Sequence, residues 1–113
     1  MKYLLLIYEN EKRFENGYDP KEMAEYGAFG KEFGKAILNG HALKPTTTAT
    51  TVRVRDGKRL TTDGPFAETK EQLGGFYMVN CKDLDEALEW ASQIPSSGRG
   101  PVEVRPIMEF GEQ

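Results

Sequence analysis

The 113-residue chain has the length of one domain with a single core, and its 38% hydrophobic and 11% aromatic content is that of a folded protein. Its 18 acids and 15 bases interleave to a formal charge of −3, leaving no basic stripe for nucleic acid, and no apolar run is long enough to span a membrane. One cysteine, Cys81, and one histidine, His41, exclude an internal disulfide and a Cys/His zinc cluster and fit a reducing cytoplasm.

Residues 3–8, "YLLLIY", are apolar on both faces and give way to "ENEKR" without a small-residue cleavage site, so they predict a central strand rather than a signal peptide. Asp19-Pro20-Lys21-Glu22 then supplies an N-cap, a first-turn proline and a first-turn acid. A helix is predicted over residues 20–39, with Met23, Tyr26, Gly30, Phe33 and Ile37 as its apolar stripe. Gly27, Gly30 and Gly34 weaken it by about 1 kcal/mol each, which close packing or room for a ligand would offset. Residues 41–44 read as a short strand, and the threonine-rich stretch after Pro45 as extended or loop.

Asp56-Gly57 between "TTVRVR" and "KRLTT" predicts a hairpin with a two-residue type I′ turn, pairing Arg55 with Lys58, Val54 with Arg59 and Arg53 with Leu60. Residues 75–81 form another strand. Asp83 and Glu86 make an acidic capping box for a second helix whose buried face is Leu84, Ala87, Leu88, Ala91 and Ile94, and Pro95 ends it. Residues 102–108 alternate as a last strand.

Without the hairpin, the order is βαββαβ, an α+β, ferredoxin-like arrangement with both helices on one face of an antiparallel sheet. The first strand is apolar on both sides, so the open sheet face needs cover, and a second copy of the chain is the simplest one. A homodimer is the expected state.

"MKYLLLIY", "ATTVRVRDGK", "TDGPFAETKEQLGGFY", "DLDEALEWA" and "VEVRP" together resemble the DGPF branch of the YCII-related family over nearly the whole chain. The resemblance implies a single domain over residues 1–113, a dimeric α/β barrel and a pocket between sheet and helices. It also implies a possible association with extracytoplasmic-function sigma factors, beside which such proteins are often encoded. Better understood members carry a His on the first helix and an Asp near the end of the second. This chain has neither, since its first helix lacks histidine and "EWASQIP" lacks an acid after Glu89. His41 then reads as a capping or hydrogen-bonding residue.

The long motif has two readings. As a turn, Asp63 bonds nearby amides, Gly64 supplies unusual dihedrals and Pro65 fixes its own φ. As a pocket rim, Asp63, Lys70 and Glu71 are the candidate catalytic groups, a carboxylate acting as acid or base and Lys70 holding an anion. Gly64, Pro65, Phe66, Glu68, Thr69, Gln72, Gly74, Gly75 and Tyr77 are the candidate ligand contacts, and Asp63, Phe66 and Lys70 or Glu71 are expected to border one cleft with Tyr77. "YGAFGKEFG" lacks the order of a nucleotide-binding loop, and no carboxylate spacing is diagnostic of a metal, so neither a cofactor nor a metal is expected. The functions in view are binding or transformation of a small molecule, regulation of a sigma factor, and a structural dimer.

Overall fold

An apolar strand needs cover on both faces and partners on both edges, and β1 (Lys2–Glu9) has two partners in the computed structural model, which describes residues 1–111. The elements after it are α1 (Pro20–Phe33), β2 (Ile37–Ala42), β3 (Thr50–Arg55), β4 (Lys58–Asp63), β5 (Gln72–Asn80), α2 (Leu84–Ser92) and β6 (Val102–Pro106). The main sheet is antiparallel in the order β2-β5-β1-β6, the βαββαβ arrangement, while β3 and β4 form a ribbon of their own. No described helix is long and apolar enough to cross a membrane.

Side chains alternate across β1. Tyr3, Leu5 and Ile7 are buried beneath the helices with Val79, Phe29, Ala87, Ala91 and Ile94. Leu4 and Leu6 point the other way, where their register partners are Met78 and Phe76 on β5 and Arg105 and Glu103 on β6. These four apolar side chains are only half-buried.

The first helix is shorter than its periodicity predicts. Asp19 caps it by accepting from the Lys21 amide at 2.9 Å, but it ends at Phe33, and Ile37 pairs with Val79 as the first residue of β2. Pairing residues 37–42 with β5 satisfies their backbone groups in the sheet, and this tertiary gain outweighs a glycine-weakened helical continuation. The buried stripe moves accordingly: Phe29 is buried, and Met23 is 61% exposed.

The second helix also differs. Asp83 accepts from the Glu86 amide at 2.9 Å, and the Glu86 carboxylate accepts from the Lys82 amide at 3.0 Å, so the reciprocal bond of the box reaches the residue before the cap. Ala87 and Ala91 are buried, whereas Leu84 and Leu88 are about half exposed, at 47% and 48%. Small residues on the inner face let the helix lie close to the sheet, and the leucines fall on its flank.

The β3–β4 hairpin has the predicted register, Arg55 with Lys58, Val54 with Arg59 and Arg53 with Leu60. Asp56 at φ 51° and Gly57 at φ 76° are both left-handed, as a type I′ turn requires. The ribbon stands away from the body with Val52 and Val54 exposed. The described chain measures 48 × 46 × 19 Å, with a radius of gyration of 16.2 Å against about 13 Å for a globule of this length.

Candidate functional site

A hollow of about 520 Å³ lies between α1 and the β2–β5 half of the sheet. Ile7 and Glu9 reach it from β1, Phe14 and Tyr18 from the β1–α1 connection, and Asp19, Glu22, Met23 and Tyr26 from α1. Gly40, His41 and Ala42 of β2 and Phe76 and Tyr77 of β5 close the other side.

Several local features build this wall. Asn10 accepts from the Lys12 amide at 3.0 Å and starts a short 3-10 turn, Glu11–Phe14, which carries Arg13 back over the end of β1. Glu11 fixes that turn to the segment after β2, because its carboxylate accepts from the Thr46 amide at 2.8 Å and the Thr46 hydroxyl at 2.6 Å. Gly40 is required by its neighbour: a Cβ there would sit 2.7 Å from the Tyr77 ring, so only glycine lets Tyr77 lie across β2. Tyr77 in turn packs on Phe29 with ring centroids 5.2 Å apart. At Gly75 a Cβ would meet the His41 carbonyl oxygen at 2.8 Å, so this glycine serves the close approach of β2.

A charged cluster sits at the wall. Arg13 donates from Nη1 and Nη2 to both oxygens of Glu22, at 3.1 and 3.0 Å, and from Nη2 to Glu9 Oε1. Arg99, in the loop before β6, lies 3.2 Å from Glu22 Oε1. Glu22 is 5% exposed, and a carboxylate that deep in a protein is stable only with such partners. The bonds to Glu22, working against burial and helped by Glu9, push the Arg13 pKa upward, so its charge is permanent.

Glu9 differs from Glu22. Its Oε1 is held by Arg13, but Oε2 has no hydrogen-bond partner among the described residues and points towards Gly74, whose Cβ position would lie 3.4 Å away. One turn beyond Glu22, burial, reinforced by the charges of Glu9 and Glu22 and opposed by Ser96, pushes the Tyr26 phenol up to about 12. At neutral pH it is a hydrogen-bond donor. Arg13 Nε is buried without a partner among the described residues. No three His, Cys, Asp or Glu side chains among the described residues are grouped to hold a metal ion.

The motif residues lie elsewhere. Gly64, Pro65, Glu68, Thr69 and Gln72 line a second hollow of about 390 Å³ with Thr46, Thr47 and Ala67. Asp63, Phe66, Lys70 and Glu71 are exposed and border neither hollow; Phe66 is 76% exposed, with the Arg53 guanidinium 5.2 Å from its ring centroid. The predicted single cleft is therefore not formed within the chain, because Tyr77 belongs to the first hollow and the "DGPF" turn to the second. Gly64, at φ 103°, donates its amide to the Ala49 carbonyl at 2.7 Å, and its own carbonyl accepts from the Thr51 hydroxyl at 2.8 Å, so the turn clamps the base of the hairpin. Gln72 donates to the Thr69 carbonyl, and Gln72 Oε1 accepts from the Glu11 amide at 3.0 Å. His41 packs edge-on against Phe76 at 5.8 Å between ring centroids, on the face opposite Tyr77.

The sequence pattern of the YCII-related domain matches residues 1–111. The chain belongs to the YCII-related family. A relative from Rhizobium meliloti (strain 1021), an uncharacterized protein, is 39% identical over 114 residues, covering 95% of this chain and 92% of its own. Among solved structures, the 5-chloro-2-hydroxyhydroquinone dehydrochlorinase of Burkholderia phenoliruptrix AC1100, in complex with 2,5-dihydroxybenzoquinone, is similar in fold, with a TM-score of 0.59. That match covers 96% of this chain and 94% of the dehydrochlorinase at 14% identity.

Glu9, Arg13, Glu22, Tyr26 and Arg99 are the residues that sequence reasoning passes over as a site. Glu9 and Arg13 stand four apart, as do Glu22 and Tyr26, and this spacing is the available signal. "ENEKR" reads as a polar loop because the 3-10 turn that folds Arg13 inward has no strong signature of its own.

Proposed function

We propose that this YCII-related protein binds and transforms a small organic molecule in the hollow between α1 and β2–β5, with Glu9 as the proton-transferring carboxylate and Tyr26 as a hydrogen-bond donor. The observation that carries this reading is the divided Glu9 carboxylate, one oxygen anchored by Arg13 and the other without a partner at the wall of a cavity of ligand size. Arg13 and Glu22 serve as its support: a buried, doubly bonded ion pair fixes the guanidinium that orients Glu9. That a protein of similar fold acts on a small hydroxylated ring supports transformation over mere binding.

In this reading the working form is a homodimer. Leu4, Leu6, Phe76 and Met78 form a half-buried apolar band on the open sheet face, and a second sheet laid on it would give a dimeric α/β barrel. The sigma-factor association that the family resemblance implies draws no support from the fold or the relatives.

The test is a thermal-shift screen of small organic compounds against the wild type and Glu9→Gln. A compound at 100 times its Kd stabilises the native state by about 2.7 kcal/mol. Hits that lose their shift in Glu9→Gln and Tyr26→Phe support the reading. Hits that shift wild type and both variants alike place the ligand elsewhere and refute it.

A further inference from the structure

We infer that the hollow between α1 and β2–β5 selects small organic cations, amines carried on an aromatic or short aliphatic body. The inference rests on the reading of that hollow as the ligand site and names its substrate class. Its ionisable acids are Glu9, Asp19 and Glu22, and no lysine or arginine is part of the wall. The two guanidiniums nearby stand behind Glu22 with their charge directed at carboxylates: both terminal nitrogens of Arg13 are spent on Glu9 and Glu22, and its Nε is buried out of reach. Glu9 and Glu22 balance Arg13 and Arg99, and Asp19, the third carboxylate of the wall, leaves one negative charge in excess. A ligand entering the hollow meets a wall that carries the carboxylates of Glu9, Asp19 and Glu22 and, among the described residues, no lysine or arginine.

The rest of the wall suits the same ligand. Phe14, Tyr18, Tyr26 and Tyr77 supply ring surfaces, and a ring face attracts a cation by its quadrupole. Phe14 already does so within the chain, with the Arg13 guanidinium 4.6 Å from its centroid. Ile7 and Met23 add apolar surface. A bare metal ion would waste that surface and finds no group of three ligating side chains among the described residues. An anion would be placed against Glu9 without compensation, at a cost that grows as the cavity excludes water. His41 is the one further titratable basic residue of the wall, and its ring packs edge-on against Phe76, whose register position alternates with that of Tyr77.

Three probes that share one ring isolate the charge: phenethylamine, phenethyl alcohol and phenylacetate, titrated calorimetrically into the full-length protein at low and high salt. The expected result is binding of the amine at least tenfold tighter than the alcohol, with no detectable binding of phenylacetate, and a weaker amine affinity at high salt. Glu9→Gln, which keeps the shape of the side chain, should lower amine affinity about tenfold and that of the alcohol by a clearly smaller factor. Its melting curve without ligand reports whether the fold is retained. Phenylacetate binding best, or amine and alcohol binding equally, would overturn the cation selectivity while leaving the hollow as a ligand site. Amine binding that ignores Glu9→Gln would place the amine outside the hollow and overturn the inference. Binding of none of the three would count against both the selectivity and the site.

Discussion

Replacing Arg13 by methionine should destabilise the protein more than replacing Glu22 by glutamine, although both break the same ion pair. The side chain of Glu22 is 6% exposed and that of Arg13 is 25% exposed. Losing Arg13 strands the deeper charge, with only Arg99 left at 3.2 Å on a side chain that is 43% exposed. Removing one partner of a buried pair costs about 3–5 kcal/mol, and the surviving Arg99 contact places this case at the low end, about 3 kcal/mol. In Glu22→Gln the stranded group is Arg13, which keeps Glu9 and reaches solvent, so about 1–2 kcal/mol is expected. Unfolding entropy of about 2.1 cal/mol/K per residue gives roughly 0.24 kcal/mol/K for this chain, so these losses correspond to Tm shifts of about 12 °C and about 4–8 °C. Urea melts at one fixed protomer concentration provide the free energies, with the double variant completing the cycle. Equal losses, or a loss under about 1 kcal/mol for Arg13→Met, would mean that Glu22 is solvated and that the cluster is a surface feature.

Gly40→Ala should cost about 1–3 kcal/mol, because the new methyl lies 2.7 Å from the Tyr77 ring and 3.1 Å from the Phe76 carbonyl oxygen; a melting curve matching wild type would show that the ring moves freely. Gly57→Val should destabilise the hairpin by forcing a β-branched residue to φ 76°, read as faster amide exchange across β3 and β4, and unchanged exchange would contradict the turn. The Tyr26 phenol, held by burial at about 12 in the fold against about 10 when unfolded, keeps its proton better in the native state. Its contribution to stability is therefore complete below about pH 10 and is lost as pH rises towards 12. Tyr26→Phe should flatten that alkaline loss, and an unchanged alkaline slope would show that Tyr26 is solvated. Static light scattering at micromolar concentration should give a dimer mass, and a monomer would remove the proposed cover from Leu4, Leu6, Phe76 and Met78.

The parts of the fold that were legible in the sequence are those whose physics is local. Asp56-Gly57 specifies its turn through two positive φ angles, Asp19-Pro20 opens α1 with a cap and a preset φ, and the apolar run of β1 demands a central place. The errors arose where a distant partner decided the outcome. Ile37 continues a helical period in sequence but pairs with Val79, more than forty residues away, and Leu84 and Leu88 lose the inner face to alanines because the sheet draws α2 close. The site was obscured for the same reason. Glu9, Arg13, Glu22 and Arg99 come from a strand end, a 3-10 turn, a helix start and a loop, and charges that look like ordinary surface charge become a cluster around the buried Glu22 only when those four segments converge. The "TDGPF" stretch shows the opposite case. Its turn chemistry is dense and local, and within the chain that chemistry is spent on closing the hairpin, with Gly64 bonded to Ala49 and Thr51. A motif can thus be conspicuous because its geometry is demanding, whereas charges that act together across segments leave little trace in any one of them.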